Sequence, residues 1–191
     1  MHSPTRDAHA ASNPSPPQNP SRPFDCAQGR PERVEGRHFF LYVDGAASGN
    51  PGPAGAAAVL KDAQGETLLE RAKAFGPATN NVAEYQGLLI GLELAAELKP
   101  DLLTIRSDSE LLVRQVAGQY KVRAPHLKPL LRQVKRLLEP FACVEIEHIP
   151  RGQNAEADKL ARKALEKSRE VDATIPPDSR KTSPRKRFRL K

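Results

Sequence analysis

The chain has 191 residues, with 30 Lys and Arg against 23 Asp and Glu for a formal charge of +7, a size that suits one domain with tails or two small domains. No apolar run approaches the roughly 18 to 20 residues of a membrane-spanning helix, and the Pro-, Ser- and Asn-rich start from Met1 to Pro20 does not read as a signal segment. Two cysteines, Cys26 and Cys143, cannot by themselves build a disulfide scaffold or a structural zinc site, so a reducing, cytoplasmic setting is expected.

The basic excess sits at the ends. Residues 1–37 hold five basic and four acidic side chains, residues 38–166 hold 16 of each, and residues 167–191 hold nine basic against three acidic. The first 37 residues carry seven of the 18 prolines and no apolar period, so they are expected to be disordered, either as a linker or as upstream sequence included by a wrongly assigned start. The C-terminal stretch 168–191, ending Arg185-Lys186-Arg187-Phe188-Arg189-Leu190-Lys191, is read as a second disordered segment, either solubilising or attracting phosphates through counterion release.

Between the tails, residues 38–167 are long enough to bury about two thirds of their unfolded surface in one core. Phe39 to Val43 is an apolar run too short for a helix, followed by the turn cluster Ser48-Gly49-Asn50-Pro51-Gly52-Pro53, and reads as a central strand opening a hairpin. Ala54 to Leu60 and Glu66 to Phe75 read as two further strands about the turn Asp62 to Gly65. The period then changes: Tyr85, Leu88, Leu89, Leu92, Ala95 and Ala96 form one helical stripe, with N-cap candidates at Thr79, Asn80 and Asn81 and a stop at Pro100. A fourth strand at Leu102 to Ser107, a short helix from Ser109 to Ala117, a helix from about Ala124 to Leu138, a fifth strand through Val144, Ile146 and His148, and a helix from Asn154 to about Lys167 complete the domain. Three strands in succession followed by strand–helix alternation predict a mixed α/β sheet with helices on its faces.

Four acids fall at element ends. Asp44 closes the first strand, Asp108 closes the fourth, Glu84 lies in the first turn of the long helix, and Asp158 lies in the first full turn of the last. Strand ends and helix starts are where side chains converge on a crevice. If the four meet, repulsion raises some of their pKa values, and hard divalent cations relieve it: Mg²⁺ takes a few carboxylates plus substrate phosphate, and two ions roughly 4 Å apart suit phosphodiester cleavage.

These segments resemble ribonuclease H of type 1, the family that cuts the RNA strand of RNA–DNA hybrids. The matching stretches are Tyr42 to Gly55, Thr79-Asn80-Asn81-Val82-Ala83-Glu84, Ile105-Arg106-Ser107-Asp108-Ser109 and Asn154-Ala155-Glu156-Ala157-Asp158-Lys159-Leu160-Ala161, in the family's order. The resemblance implies a five-stranded mixed sheet in order 3-2-1-4-5, catalytic metal ligation by Asp44, Glu84, Asp108 and Asp158, two Mg²⁺ or Mn²⁺ ions, and cleavage leaving a 5′-phosphate and a 3′-hydroxyl. It further implies that Gly45, Ala46, Asn50, Asn80 and Asn81 line the hybrid's minor groove, where the 2′-hydroxyl distinguishes RNA from DNA, and that Thr79 meets a DNA phosphate. Pro77 stands where an Arg of that phosphate pocket often occurs.

Two departures mark a short-loop subset. The loop before the last helix, Ile149-Pro150-Arg151-Gly152-Gln153-Asn154, offers Arg151 in place of a mobile His, while His148 reads as a structural strand residue. No basic insertion fits between the second and third helices, because Gly118 to Pro125 leads straight on, so the C-terminal tail is a candidate grip on substrate. The alternatives are a non-catalytic hybrid or double-stranded RNA binder, and a nuclease of the same fold acting on another nucleic acid. Retention of all four acids argues against the first, and the Gly-Asn-Pro-Gly and Thr-Asn-Asn segments argue against the second. A monomer without membrane attachment is expected.

Overall fold

The computed structural model describes residues 36–174, with side chains through Lys167. The segments expected to be disordered ahead of residue 36 and after residue 174 lie outside the described residues. Strands β1 (His38–Ala47), β2 (Gly52–Lys61) and β3 (Thr67–Ala78) form an antiparallel meander. β1 also pairs in parallel with β4 (Leu102–Ser107), and β4 with β5 (Val144–His148), which produces the expected order β3-β2-β1-β4-β5. Helices α1 (Asn80–Leu98), α2 (Glu110–Val116), α3 (Leu127–Leu138) and α4 (Ala155–Thr174) complete the element order. Among the described residues no helix is long and apolar enough to cross a membrane.

The main core lies on one face of the sheet. Leu41, Val43, Leu103 and Ile105 meet Leu88 and Leu92 of α1 and Leu127, Val134 and Leu138 of α3, all buried. The other face of β2 is covered by α4, whose Ala157, Ala161 and Ala164 are buried. Sheet and helix approach so closely there that a Cβ at Gly55 would fall 2.4 Å from the Leu165 backbone nitrogen.

Several boundaries differ from the sequence reading. α1 is buried nearly all round rather than along one stripe, because it is packed between the sheet and α3, and its small residues Gly87 and Gly91 are themselves buried against β1. α3 begins at Leu127 rather than Ala124: Pro125 disfavours the helical conformation for the residue before it, and Ala124 instead closes a turn onto the Leu127 N–H at 3.2 Å. α4 continues to Thr174, beyond the end expected at Lys167. Arg37, assigned to the N-terminal extension, belongs to the domain: its N–H donates to Asp101 Oδ2 at 2.8 Å, and its guanidinium donates to the Leu98 and Lys99 carbonyls that end α1.

Candidate active site

Tyr42 pairs with Arg106 across the parallel β1–β4 ladder, so Asp44 and Asp108, each two residues further on, lie side by side where β4 ends; β1 itself runs on to Ala47 in its pairing with β2, so Asp44 sits within the first strand rather than closing it. α1 brings Glu84 to that end. Thr79 caps the helix, its Oγ1 accepting the Val82 N–H at 3.3 Å, and two glycines let the helix lie directly against the strand. A Cβ at Gly45 would stand 2.1 Å from the Ala83 carbonyl carbon, and one at Gly87 would stand 2.5 Å from the Asp44 carbonyl oxygen. The close approach that Gly45 permits is therefore that of the first turn of α1, and it is what places Glu84 beside Asp44.

Asp158 enters from α4, preceded by a one-turn 3₁₀ helix at Arg151–Asn154. Arg151 donates to its Oδ1 at 2.6 Å and Arg162 to its Oδ2 at 2.9 Å. Asn154, almost fully buried, donates from Nδ2 to Asp108 Oδ1 at 2.7 Å and to the Val43 carbonyl at 3.0 Å. Both of those partners are acceptors, which fixes the orientation of the amide and leaves its Oδ1 buried without a partner. One side chain at the head of α4 thus holds β1 at Val43 and the Asp108 carboxylate together.

The electrostatics confirm that the acids share one field. Burial pushes the Glu84 carboxyl up to about 9, with Asp44 and Asp108 adding to the rise, while the Asn80 hydrogen bond and Arg151 oppose it. Burial likewise raises Asp44 to about 7, reinforced by Asp108 and Asp158 and opposed by the Gly45 N–H and Arg151. Glu84 therefore holds its proton to higher pH than Asp44 does. Glu84 Oε2 is buried with no hydrogen-bond partner, and Oε1 has only the Asn80 amide at 3.5 Å.

This donor set fits hard divalent cations: oxygen ligands in mutual repulsion, one of them unpartnered, with protons where positive charge would serve. Among the described residues no three His, Cys, Asp or Glu side chains already stand in an arrangement that holds an ion.

The other residues singled out from sequence divide into those at the site and those at its rim. Gly45 is buried and Ala46 half-buried on β1, while Asn50 is exposed in the β1–β2 turn. Thr79 is half-buried, and Asn80 and Asn81 are exposed at the start of α1. Arg151 is exposed and paired with Asp158. His148 closes β5 with an exposed side chain, and its Nε2 lies 3.3 Å from the Asp108 carbonyl oxygen, so the residue read as a structural strand position stands at the rim of the acids. Sequence reasoning quoted Asn154 without a role and passed over Arg162. The signal for Asn154 was its place four residues before Asp158, at the turn that leads into α4.

A family model described as reverse transcriptase-like matches residues 42–164. Ribonuclease HI of Halobacterium salinarum is 39% identical over 137 residues, covering 72% of this chain and 68% of that protein. The chain belongs to the ribonuclease H type 1 family. The bifunctional protein Rv2228c of Mycobacterium tuberculosis is 42% identical over 127 residues, covering 66% of this chain and 35% of its own length, so the chain spans about a third of that ribonuclease H relative. Among solved structures, the N-terminal RNase H domain of Rv2228c, determined as a fusion with maltose-binding protein, superposes with a TM-score of 0.69 at 39% identity over 71% of this chain and 99% of that one. LC11-RNase H1 in complex with an RNA/DNA hybrid gives a TM-score of 0.65 at 40% identity, over 68% of this chain and 98% of that one.

Proposed function

We propose that this chain is an endonuclease that hydrolyses the RNA strand of RNA–DNA hybrids, with Asp44, Glu84, Asp108 and Asp158 holding two Mg²⁺ or Mn²⁺ ions. The observation that carries the reading is the meeting of acids from four separate elements at one end of the sheet, two of them forced above the ordinary carboxylate range. When bound, the two ions supply activation of the attacking water and stabilisation of the departing ribose oxygen, which leaves a 5′-phosphate and a 3′-hydroxyl.

The protein's own residues do the rest. Asn154 holds the Asp108 carboxylate at a fixed angle to β1. Arg151 and Arg162 offset the negative charge of Asp158, a role that bound cations would share. The Thr79 hydroxyl, which accepts the cap hydrogen bond, keeps its own proton free to donate to a DNA phosphate. Asn50 in the β1–β2 turn, Asn80 and Asn81 at the start of α1, all exposed, and the backbone at Gly45 and Ala46 read the minor groove, with the 2′-hydroxyl as the group recognised. The hybrid held by a relative 40% identical to this chain supports that substrate.

The test is a labelled RNA–DNA hybrid, double-stranded RNA and double-stranded DNA, each incubated with Mg²⁺, with Mn²⁺ and with EDTA. Cleavage of the RNA strand in the hybrid alone, abolished by EDTA and by Asp44→Asn, is the expected result. Cutting of duplex DNA, or cleavage that survives EDTA, would overturn it.

A further inference from the structure

The acids come from four elements, and their spacing depends on how those elements are locked to one another. Gly45 and Gly87 let α1 seat on β1, and Asn154 ties β1 at Val43 to Asp108 and to the head of α4. Neither contact joins α1, which carries Glu84, to the helix that starts beside Asp108. A buried polar pair behind the site does. Tyr85, the residue after Glu84, is 1% exposed and Gln115 on α2 is 7% exposed, and the Tyr85 hydroxyl donates to Gln115 Oε1 at 2.9 Å. Among the described residues no other side-chain hydrogen bond and no ion pair joins α1 to α2.

Asp108 and Gln115 belong to one stiff unit. The Oγ of Ser107, fully buried, accepts the Ser109 N–H at 3.1 Å, and Ser109 in turn caps α2 by accepting the Leu112 N–H at 3.4 Å. The Asp108 carboxylate therefore stands just ahead of a capped helix whose seven residues rise about 10 Å, and Gln115 lies one residue before its end. A tilt of α2 at that far end is transmitted to the backbone at Asp108, and Tyr85 supplies the polar contact that holds the far end. On α1 the same bond begins one residue from Glu84, so it links the two carboxylates by a short path through rigid helix at each end.

Adhesion between the helices does not need this bond. Tyr85 lies in the apolar core with Leu88 of its own helix and with Leu112 and Val116 of α2, where ring and methyl contacts hold the two together. Apolar contacts tolerate sliding, whereas a hydrogen bond fixes a length and an angle. The net contribution of a buried neutral pair to stability is small, yet either partner left alone is costly, so such a pair selects one arrangement of the elements it joins.

We infer that Tyr85 and Gln115 are positioning residues that set the separation of Glu84 from Asp108, and so the spacing of the carboxylates offered to divalent cations. The inference rests on the ribonuclease H reading for the reaction, and both residues act from the core, behind the acids.

The test uses the full chain as wild type, as Tyr85→Phe and as Tyr85→Phe/Gln115→Leu. Thermal unfolding in EDTA reads stability, water-proton relaxation reads Mn²⁺ binding without nucleic acid, and steady-state cleavage of a labelled RNA–DNA hybrid with Mg²⁺ reads kcat and KM. Tyr85→Phe deletes one oxygen and strands Gln115 Oε1 in the core, so Tm falls; the double variant removes both partners and regains most of that loss. Activity does not follow stability. In both variants kcat falls and the Mn²⁺ dissociation constant rises, each about tenfold, while KM for the hybrid stays near wild type, because an apolar pair restores adhesion but not spacing. Recovery of kcat and Mn²⁺ affinity along with Tm in the double variant would reduce the pair to fold stability and overturn the inference. A protein whose Mn²⁺ affinity drops in both variants but that never cuts the hybrid would sink the ribonuclease reading and leave the positioning pair standing. An enzyme that cuts the hybrid with kcat and Mn²⁺ affinity untouched by either variant would do the reverse.

Discussion

Replacing Glu84 by Gln should stabilise the metal-free protein while destroying its proposed activity. The carboxyl is only 7% exposed and is raised from an ordinary value of 4.5 to about 9, first by burial and then by Asp44 and Asp108. Between those two values the folded state binds a proton that the unfolded state has released, so stability falls as pH rises. The favourable contribution is complete below pH 4.5 and has been lost once the pH passes about 9. At pH 7.5 the chain has climbed three units above the ordinary value, and at about 1.4 kcal/mol per unit this cost reaches about 4 kcal/mol. Relaxation around the group and water entry lower it, so we expect Glu84→Gln to gain about 2 to 4 kcal/mol, a rise in Tm of roughly 6 to 15 °C for a domain of this size.

The amide is nearly isosteric and can keep the contact with Asn80, so the gain reports charge rather than packing. Thermal unfolding followed by circular dichroism in EDTA at pH 5, 6, 7, 8 and 9 gives the comparison directly. The wild-type Tm should fall toward alkaline pH more steeply than that of the variant, with the two converging near pH 5. Adding Mg²⁺ should raise the wild-type Tm and move the variant less, because ligand binding stabilises by mass action and the variant has lost one of its oxygens. A variant with native circular dichroism that melts at or below wild type at pH 8 in EDTA would refute the reasoning.

Three further substitutions probe how the site is assembled. Gly45→Ala drives a methyl group to 2.1 Å from backbone that cannot yield, so α1 must move off β1; a loss of about 3 kcal/mol or more is expected in urea unfolding, with activity falling as Glu84 is displaced. Asn154→Ala leaves the Val43 carbonyl buried without a donor and frees the Asp108 side chain, which should cost about 1 to 3 kcal/mol in the same assay and lower kcat more than it raises KM. Arg151→Ala breaks an exposed pair and should change stability by less than about 1 kcal/mol. Because Arg151 holds Asp44 and Glu84 down, its loss raises both, and the acidic limb of the pH–rate profile should move to higher pH; an unmoved limb would deny Arg151 any electrostatic role at the site.

Much of this molecule is legible in one dimension because its elements carry separate, local signals. β1 announces itself by an apolar run that ends in Asp44-Gly45, α2 by a Ser cap and a Gly stop, and β5 by alternation. The order of the sheet and the four acids rested on a resemblance spread over four segments, since no local rule places Glu84 beside Asp44. What joins them is the pair Gly45 and Gly87, and a glycine in sequence says only that backbone can come close, not which backbone will. At Gly45 the backbone that comes close to the missing Cβ is the first turn of α1. The division of charge inside the domain was equally hidden. Counting over residues 38–166 as one window cancels the seven basic side chains of residues 111–138 against a remainder of nine basic and 16 acidic, and only a narrower window separates the two. Asn154 shows the remaining kind of blindness. Its amide matters because two acceptors distant in sequence meet it in three dimensions, and neither Val43 nor Asp108 leaves any trace of that in the residues around position 154. A site of like charges needs such a clamp: with acids that repel one another, the angle at which Asp108 faces Asp44 is set by the neutral donor between strand and helix, and that donor is visible only after the chain has folded.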